Sequence, residues 1–383
     1  MSKKDKSVRQ QKKIRTAVVG CGSIGQIMHL PHVTELSDTF ELVGICDISP
    51  GVLEHCGRRF HVSPEARFTS VQTMLDKTEP EAVIVCDLLH SDPAIAALKA
   101  GCHVLVEKPM AHSLQECDEM LNLQAKSGKT LMVAYMKRFD PGYEYAQARV
   151  AKLKDVFHVR AHDFVGPNAS FTGDIHDVKT FNDVKDQTTR KLISERMKRA
   201  IGTDGDDASY LYMMLLYLCT HDLTILRGMF GSPKAITGAL FSPKGRCFHA
   251  IMDYGENMTG VFEFGEFNLK KFDEELAIYS KTEVVKVQFP SPFVPFAMTE
   301  VEVWEPEGPG KEQRPDRPHL PAGPAGQGLK ISKVHASYDE SFRRELQHFA
   351  HCVRTGEKPR TTAEDGREDV RLCIEMANKA LRG

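Results

Sequence analysis

The run Gly20-Cys21-Gly22-Ser23-Ile24-Gly25 stands directly behind the apolar stretch Ile14–Val19 and opens a helix-like segment. That order confines the chain to a strand, a tight turn and a helix. The first glycine permits the turn, the second lets the backbone approach a pyrophosphate, and the third lets the helix pack closely on the strand. The helix start offers free N–H groups and the positive end of its dipole to phosphate oxygens. Gly20, Gly22, Ser23, Ile24 and Gly25 are therefore the expected pyrophosphate cradle. Asp47 ends the second apolar stretch, where a carboxylate accepts hydrogen bonds from both ribose hydroxyls and repels a 2′-phosphate. Ile48, Ser49 and Pro50 follow, with no arginine beside Asp47. The expected cofactor is NAD, ahead of NADP.

Strand and helix signals alternate through the first half. Ile14–Val19, Glu41–Cys46, Ala82–Cys86, His103–Val106 and Thr130–Ala134 are short, nearly continuous apolar runs, as strands buried on both faces require. Helical stretches Ser91–Ala100 and Ser113–Ser127 lie between them and stop at Gly101 and Gly128. This alternation predicts a doubly wound parallel sheet. The second half presents strand candidates in close succession: Val156–His162, Lys234–Phe241, His249–Tyr254, Thr259–Phe264, Glu274–Tyr279 and Glu283–Phe289. Several alternate apolar with polar residues, which predicts an open, mainly antiparallel sheet with one covered face. An apolar helix, Leu211–Met229, sits among them, and Pro306–Gly328 reads as an exposed loop. Phe342, Leu346, Phe349 and Val353 mark an amphipathic helix, and Thr362 with Asp365 caps a last one.

The expected class is α/β, with an N-terminal Rossmann domain and a C-terminal α/β domain on that open sheet. The boundaries read as a disordered tail over 1–13, a nucleotide-binding domain over 14–137, a substrate and oligomerisation domain over 138–355, and a C-terminal helix over 356–383 that packs back on the first domain. Lys+Arg 50 against Asp+Glu 52 gives a net charge of −2, which argues against a nucleic-acid partner. The chain contains no apolar run of the ~20 residues that span a bilayer, so no membrane partner is expected. Ten cysteines are scattered without a C-x-x-C pair, which points to free thiols in the cytoplasm and to no metal site.

Glu107-Lys108-Pro109 follows the strand His103–Val106. Met28-His29-Leu30-Pro31, Arg138-Phe139-Asp140-Pro141 and His221-Asp222-Leu223 complete a set that resembles the glucose–fructose oxidoreductase / inositol dehydrogenase family (Gfo/Idh/MocA). The resemblance implies an enzyme exchanging a hydride between nicotinamide and a secondary alcohol of a sugar or cyclitol, working as a dimer or tetramer. Two other readings stay open: tightly held NAD that drives elimination or glycoside cleavage through a transient oxidation, and a non-catalytic NAD-binding regulator.

The resemblance makes Lys108 the acid/base and His221 its assistant. His90, Glu107 and Lys108 are expected beside the cofactor. Arg138, Asn168, Asp174, His176, Lys108 and His221 are expected to hold substrate. His29 reads as structural. The chain departs from the family at two positions. Many members carry aspartates one helical turn before the histidine and three residues after it, where this chain has Tyr217 and Thr224. Tyr217, at i−4 from His221, lies on the same helical face, so its phenol is a catalytic candidate. Asp222 points about 100° around the helix and replaces neither aspartate. The turn at Cys86-Asp87-Leu88-Leu89 also departs from the family's usual Thr-Pro type.

Overall fold

The computed structural model describes residues 12–167, 172–173, 175–185, 187–255, 257–307 and 328–382. The expected tail up to residue 11, Asn168, Asp174 and most of Pro306–Gly328 lie outside these residues.

Strands β1 (Ile14–Val19), β2 (Phe40–Cys46), β3 (Arg67–Phe68), β4 (Ala82–Val85), β5 (His103–Glu107) and β6 (Leu131–Ala134) form one sheet in the order β3-β2-β1-β4-β5-β6. Every pairing is parallel. Both faces are covered, so β4 and β6 are buried along their whole lengths. The intervening helices are α1 (Leu30–Glu35), α2 (Pro50–Arg59), α3 (Val71–Thr78), α4 (Ser91–Lys99) and α5 (Leu114–Ser127). Ser49, Ser70 and Ser113 cap the N-termini of α2, α3 and α5 by accepting N–H bonds from Val52, Thr73 and Glu116. The order reverses between β1 and β4, the place where doubly wound sheets carry their ligand crevice, beyond the carboxyl ends of the strands.

After α6 (Pro141–Val150) the second sheet begins with β7 (Val156–Val165). The helices α7 (Gln187–Ile201), α8 (Asp206–Met214) and α9 (Thr220–Phe230) follow, then β8 (Ala235–Ser242), β9 (Cys247–Gly255), β10 (Met258–Glu266), β11 (Phe272–Ser280), β12 (Val284–Phe289), β13 (Glu300–Pro306) and β14 (Leu329–His335). The order is β14-β13-β12-β11-β7-β10-β9-β8. Only β7 with β10 runs parallel among the described pairs; the rest are antiparallel. Helices α10 (Ser341–Thr355) and α11 (Ala363–Arg382) close the chain, and Thr362 and Asp365 exchange side-chain-to-backbone bonds at 3.1 Å at the start of α11.

The elements β3, α3, α6, α7, β13 and β14 escaped the sequence reading. The apolar helix is also longer than expected and is interrupted. A π turn at Leu215–Cys219 joins α8 to α9. The wider turn advances the register, so Tyr217 and His221 do not stack as an i, i+4 pair would.

Candidate active site

Gly20 has φ +89°, and a Cβ there would come 2.3 Å from the Asp87 backbone nitrogen. A Cβ on Gly25 would come 2.5 Å from the Gly20 carbonyl oxygen, whereas one on Gly22 would meet open space. Two glycines are thus demanded by close packing, and the third leaves the crevice floor bare for a ligand. Asp47 stands beside it, its Oδ2 accepting the Cys21 N–H at 2.8 Å and its Oδ1 the Ser49 N–H at 2.9 Å. Each oxygen keeps a lone pair for a ribose hydroxyl. This cradle and carboxylate fit a dinucleotide.

Lys108 follows β5 at the carboxyl edge of the same sheet, and the Lys108–Pro109 peptide is cis. Its neighbours hold it in place. Glu107 is buried; its Oε1 pairs with His29 Nε2 at 2.8 Å and its Oε2 accepts the Lys108 N–H at 3.1 Å. Burial pushes the Glu107 carboxyl up, but the His29 bond and charge outweigh it and leave it low. His90, also buried, meets the Pro109 carbonyl through Nδ1 at 2.6 Å. Burial drives His90 down to about 4, so it is neutral near pH 7.

The Lys108 ammonium donates to the Tyr217 carbonyl at 2.6 Å and reaches a cleft of about 490 Å³. Lys108, Lys137, Asp163, Tyr217 and His221 all line that cleft, beneath Phe272 and Phe293. Burial lowers the Lys108 pKa. Burial, with Lys108 and Lys137 nearby, holds His221 well below the usual imidazole range. His221 is therefore a neutral ring, and its buried Nδ1 has no protein partner.

Behind Lys108 lies a group of charges. Asp163, Asp222 and Glu274 are fully buried, with one carboxylate oxygen from each within 4.8 Å of the others. Lys137, itself buried, pairs with Glu274 and lies 5.2 Å from the Phe289 ring centroid. Asp163 and Glu274 are cross-strand neighbours on β7 and β11. Neither oxygen of Asp163 has a hydrogen-bond partner. Burial, with the neighbouring Asp222, raises its pKa despite Lys137 and Lys108.

The sequence reading missed this group, although signals for it existed. Lys137 follows β6 as Lys108 follows β5, on adjacent parallel strands. Asp163 continues the inward series Val159, Ala161 on β7, so a carboxylate occupies a core position.

Several expected residues do other work. Arg138 donates to the Thr224 carbonyl at 3.0 Å and does not line the cleft; its neighbour Lys137 does. His176 is engaged with the Phe293 carbonyl through Nε2 at 2.5 Å. The Tyr217 phenol pairs with His112 Nε2 at 2.7 Å, so it is the backbone of Tyr217 that meets Lys108. Glu107 and His90 brace the Lys108 turn, with the contacts just described.

Residues 14–135 match the model of an oxidoreductase family with an NAD-binding Rossmann fold. The chain is 29% identical over 136 residues to D-glucoside 3-dehydrogenase of Escherichia coli K12, covering 35% of this chain and 38% of that protein. It thus spans well under half the length of the curated relatives it matches. The fold is similar from end to end to myo-inositol 2-dehydrogenase of Lactobacillus plantarum, with TM-score 0.70, 18% identity and coverage of 97% and 98% of the two chains. It is also similar to a variant of the 3-ketoreductase KijD10 of Actinomadura kijaniata, solved with TDP-benzene and NADP, with TM-score 0.68, 17% identity and coverage of 96% and 98%.

Proposed function

From the match of residues 14–135 to the GFO/IDH/MocA oxidoreductase family, we propose that this chain is an NAD-dependent dehydrogenase of a sugar or cyclitol hydroxyl. The observation that carries the reading is Lys108, partly desolvated at the carboxyl edge of a nucleotide-binding sheet and open to a cleft large enough for a hexose. Gly20, Gly22, Ser23, Ile24, Gly25 and Asp47 would hold the nucleotide, which supplies the acceptor or donor of a hydride.

The chain's own residues manage the proton. Lys108 Nζ, with its pKa lowered by burial, takes the hydroxyl proton of a carbinol or returns it to a ketone. Neutral His221 orients the same hydroxyl through Nδ1. Asp163 stands in for the carboxylates absent at Tyr217 and Thr224. It lines the cleft, its oxygens have no hydrogen-bond partner, and its raised pKa keeps a proton near neutral pH available for exchange with Lys108. The aromatic and apolar wall formed by Met214, Phe267, Phe272 and Phe293 suits the flat face of a pyranose or cyclitol ring.

All ten cysteines are free and nine are buried, in keeping with a reducing cytoplasm. Among the described residues no helix is long and apolar enough to cross a membrane. Leu240 and Ile251, 65% and 50% exposed on adjacent strands β8 and β9, offer an apolar face for a homo-oligomer.

The test is NADH formation from NAD with a panel of aldoses, glycosides, cyclitols and amino sugars, following product mass in parallel. Turnover abolished by Lys108→Met supports the reading. Absence of turnover on every substrate and in both directions rejects it, and product without net NADH selects the transient-oxidation chemistry.

A further inference from the structure

The segment after β7 returns to the nucleotide crevice. Asp183 Oδ1 accepts the Ser49 hydroxyl at 2.7 Å, and its Oδ2 accepts the Gly51 N–H at 2.7 Å. Ser49 is the N-cap of α2, and its own N–H goes to Asp47. Two carboxylates therefore hang on one residue: Asp47 on its backbone, Asp183 on its side chain. A hydroxyl and a free amide at the start of a ten-residue helix form an anion site. Here that site is filled by a carboxylate from 132 residues along the chain.

The carboxylate is held there by more than its own bonds. Gln26, fully buried on the helix behind the glycine turn, grips Lys179 twice, donating to its carbonyl and accepting its N–H at 3.0 Å each. Val178 packs with the cluster containing Ile27 and Met28. Phe181 lies so close over Gly51 that a Cβ there would come 2.6 Å from the ring. The strand of chain from Val178 to Asp183 thus runs from the helix after β1 to the helix after β2, across the adenosine side of the crevice. The Ser49 hydroxyl also holds the Asp183 carboxyl below the usual range, so it is ionised at neutral pH.

We propose that Asp183 sets cofactor identity. Its carboxylate occupies the anion position beside the ribose that Asp47 would hold, so a nucleotide with a free 2′-hydroxyl is accepted and one with a 2′-phosphate is refused. The proposal rests on the nucleotide-binding reading of the crevice. A 2′-phosphate would need the Ser49 hydroxyl and the Gly51 amide, and Asp183 both occupies those donors and repels the newcomer.

The test is titration of NADH and NADPH, followed by nucleotide fluorescence, into the full chain and the variants Asp183→Ala, Asp183→Asn and Gln26→Ala. The native chain is expected to prefer NADH. Asp183→Ala frees the donors and should tighten NADPH about tenfold, about 1.4 kcal/mol, with NADH moved less than about threefold. Asp183→Asn removes only the charge and should fall between. Gln26→Ala loosens the segment that carries Asp183, and should shift the ratio toward NADPH by less than Asp183→Ala does. An unchanged NADPH-to-NADH ratio in Asp183→Ala, or native preference for NADPH, overturns the proposal. Binding of neither nucleotide to any form overturns the crevice reading on which it stands.

Discussion

The two walls of the site are built from different materials. The Rossmann wall meets its ligand with main chain: glycines that no side chain could replace, helix-start amides, and a carboxylate already holding two backbone N–H groups. The catalytic wall, to which β5 and β6 of the Rossmann sheet contribute together with β7 and α9, meets its ligand with side chains: two lysines, a neutral histidine and a buried carboxylate with no hydrogen-bond partner. The first is fixed by geometry. The second is set by burial, and each of its groups is displaced from its ordinary pKa by desolvation and by its neighbours. Changes to one wall should therefore alter nucleotide affinity, and changes to the other should alter rate and pH response.

The largest separation is expected at Lys108. Lys108→Met should lower kcat about 100- to 10,000-fold, the usual range for a lost general acid or base. NADH affinity in the same protein should stay within about threefold, because Lys108 contributes no phosphate contact to the cradle. Loss of both together would mean that the walls are not separable.

Gly20→Val attacks the other wall. Its φ of +89° and the 2.3 Å approach to Asp87 leave no room for a Cβ. Strain of about 1–3 kcal/mol is the minimum cost, and NADH binding should weaken by about 100-fold at that upper figure. Calorimetric titration checks it; retained affinity would mean that nucleotide does not seat on the turn.

Asp163→Asn should reduce kcat about tenfold or more if the carboxyl exchanges protons with Lys108. It also predicts a stability signature. Burial raises the folded-state pKa of Asp163 to about 8, so the folded chain keeps a proton that the unfolded chain releases. Stability contributed by that proton is present below the ordinary carboxylate range and declines as pH rises toward 8. Denaturant unfolding at pH 5 and pH 8 should show the native chain losing about 1–3 kcal/mol more than Asp163→Asn across that interval. Equal slopes for the two proteins would remove Asp163 from the proton inventory.

The smallest effect should come from Tyr217→Phe. The phenol pairs with His112 at 2.7 Å, away from Lys108, while the carbonyl that receives Lys108 Nζ is unchanged. A loss of about one hydrogen bond, roughly 1 kcal/mol of stability, is expected with kcat changed less than about threefold. A large fall in kcat would restore the phenol as a participant in catalysis.

The same contrast explains what could be read from the sequence. The main-chain wall is written locally. Glycine spacing, an apolar run before it and an acid at the next strand end suffice, because the groups that act lie within one strand–turn–helix unit. The parallel pairing of the first sheet and the mainly antiparallel second sheet also follow from local patterns, whereas the strand order and the short β3 do not. The charged wall is assembled from β5, β6, β7, α9 and β11, and no short window contains two of its distant members. Arg138 drew the expectation of substrate binding, and the structure gives the cleft to Lys137 one residue earlier. The phase after β6 decides between them, and only the short turn at Met136–Phe139 fixes it. Tyr217 misled for a related reason: the i−4 rule assumes an unbroken α-helix, and the π turn at Leu215–Cys219 breaks that phase. The strands β13 and β14 were missed because they flank a Pro/Gly-rich stretch that dominates the local composition.

Helix α11 has a mechanical consequence. It lies against α5 and β6 on one side and β8, α8 and α9 on the other. Gly366 allows an approach so close that a Cβ would sit 2.8 Å from Val133, and Arg227 of α9 binds Asp365 at 2.9 Å and Asp369 at 2.8 Å. The helix thus acts as a rivet through both sheets. Halves joined this way do not swing open like a clamshell without pulling the rivet out, so admission and release of ligands fall to loops at the rim. Small-angle scattering should accordingly give the same radius of gyration with and without saturating nucleotide. Amide exchange, in contrast, should slow over Val178–Asp183 on binding. A contraction of the whole particle would mean that the rivet slides.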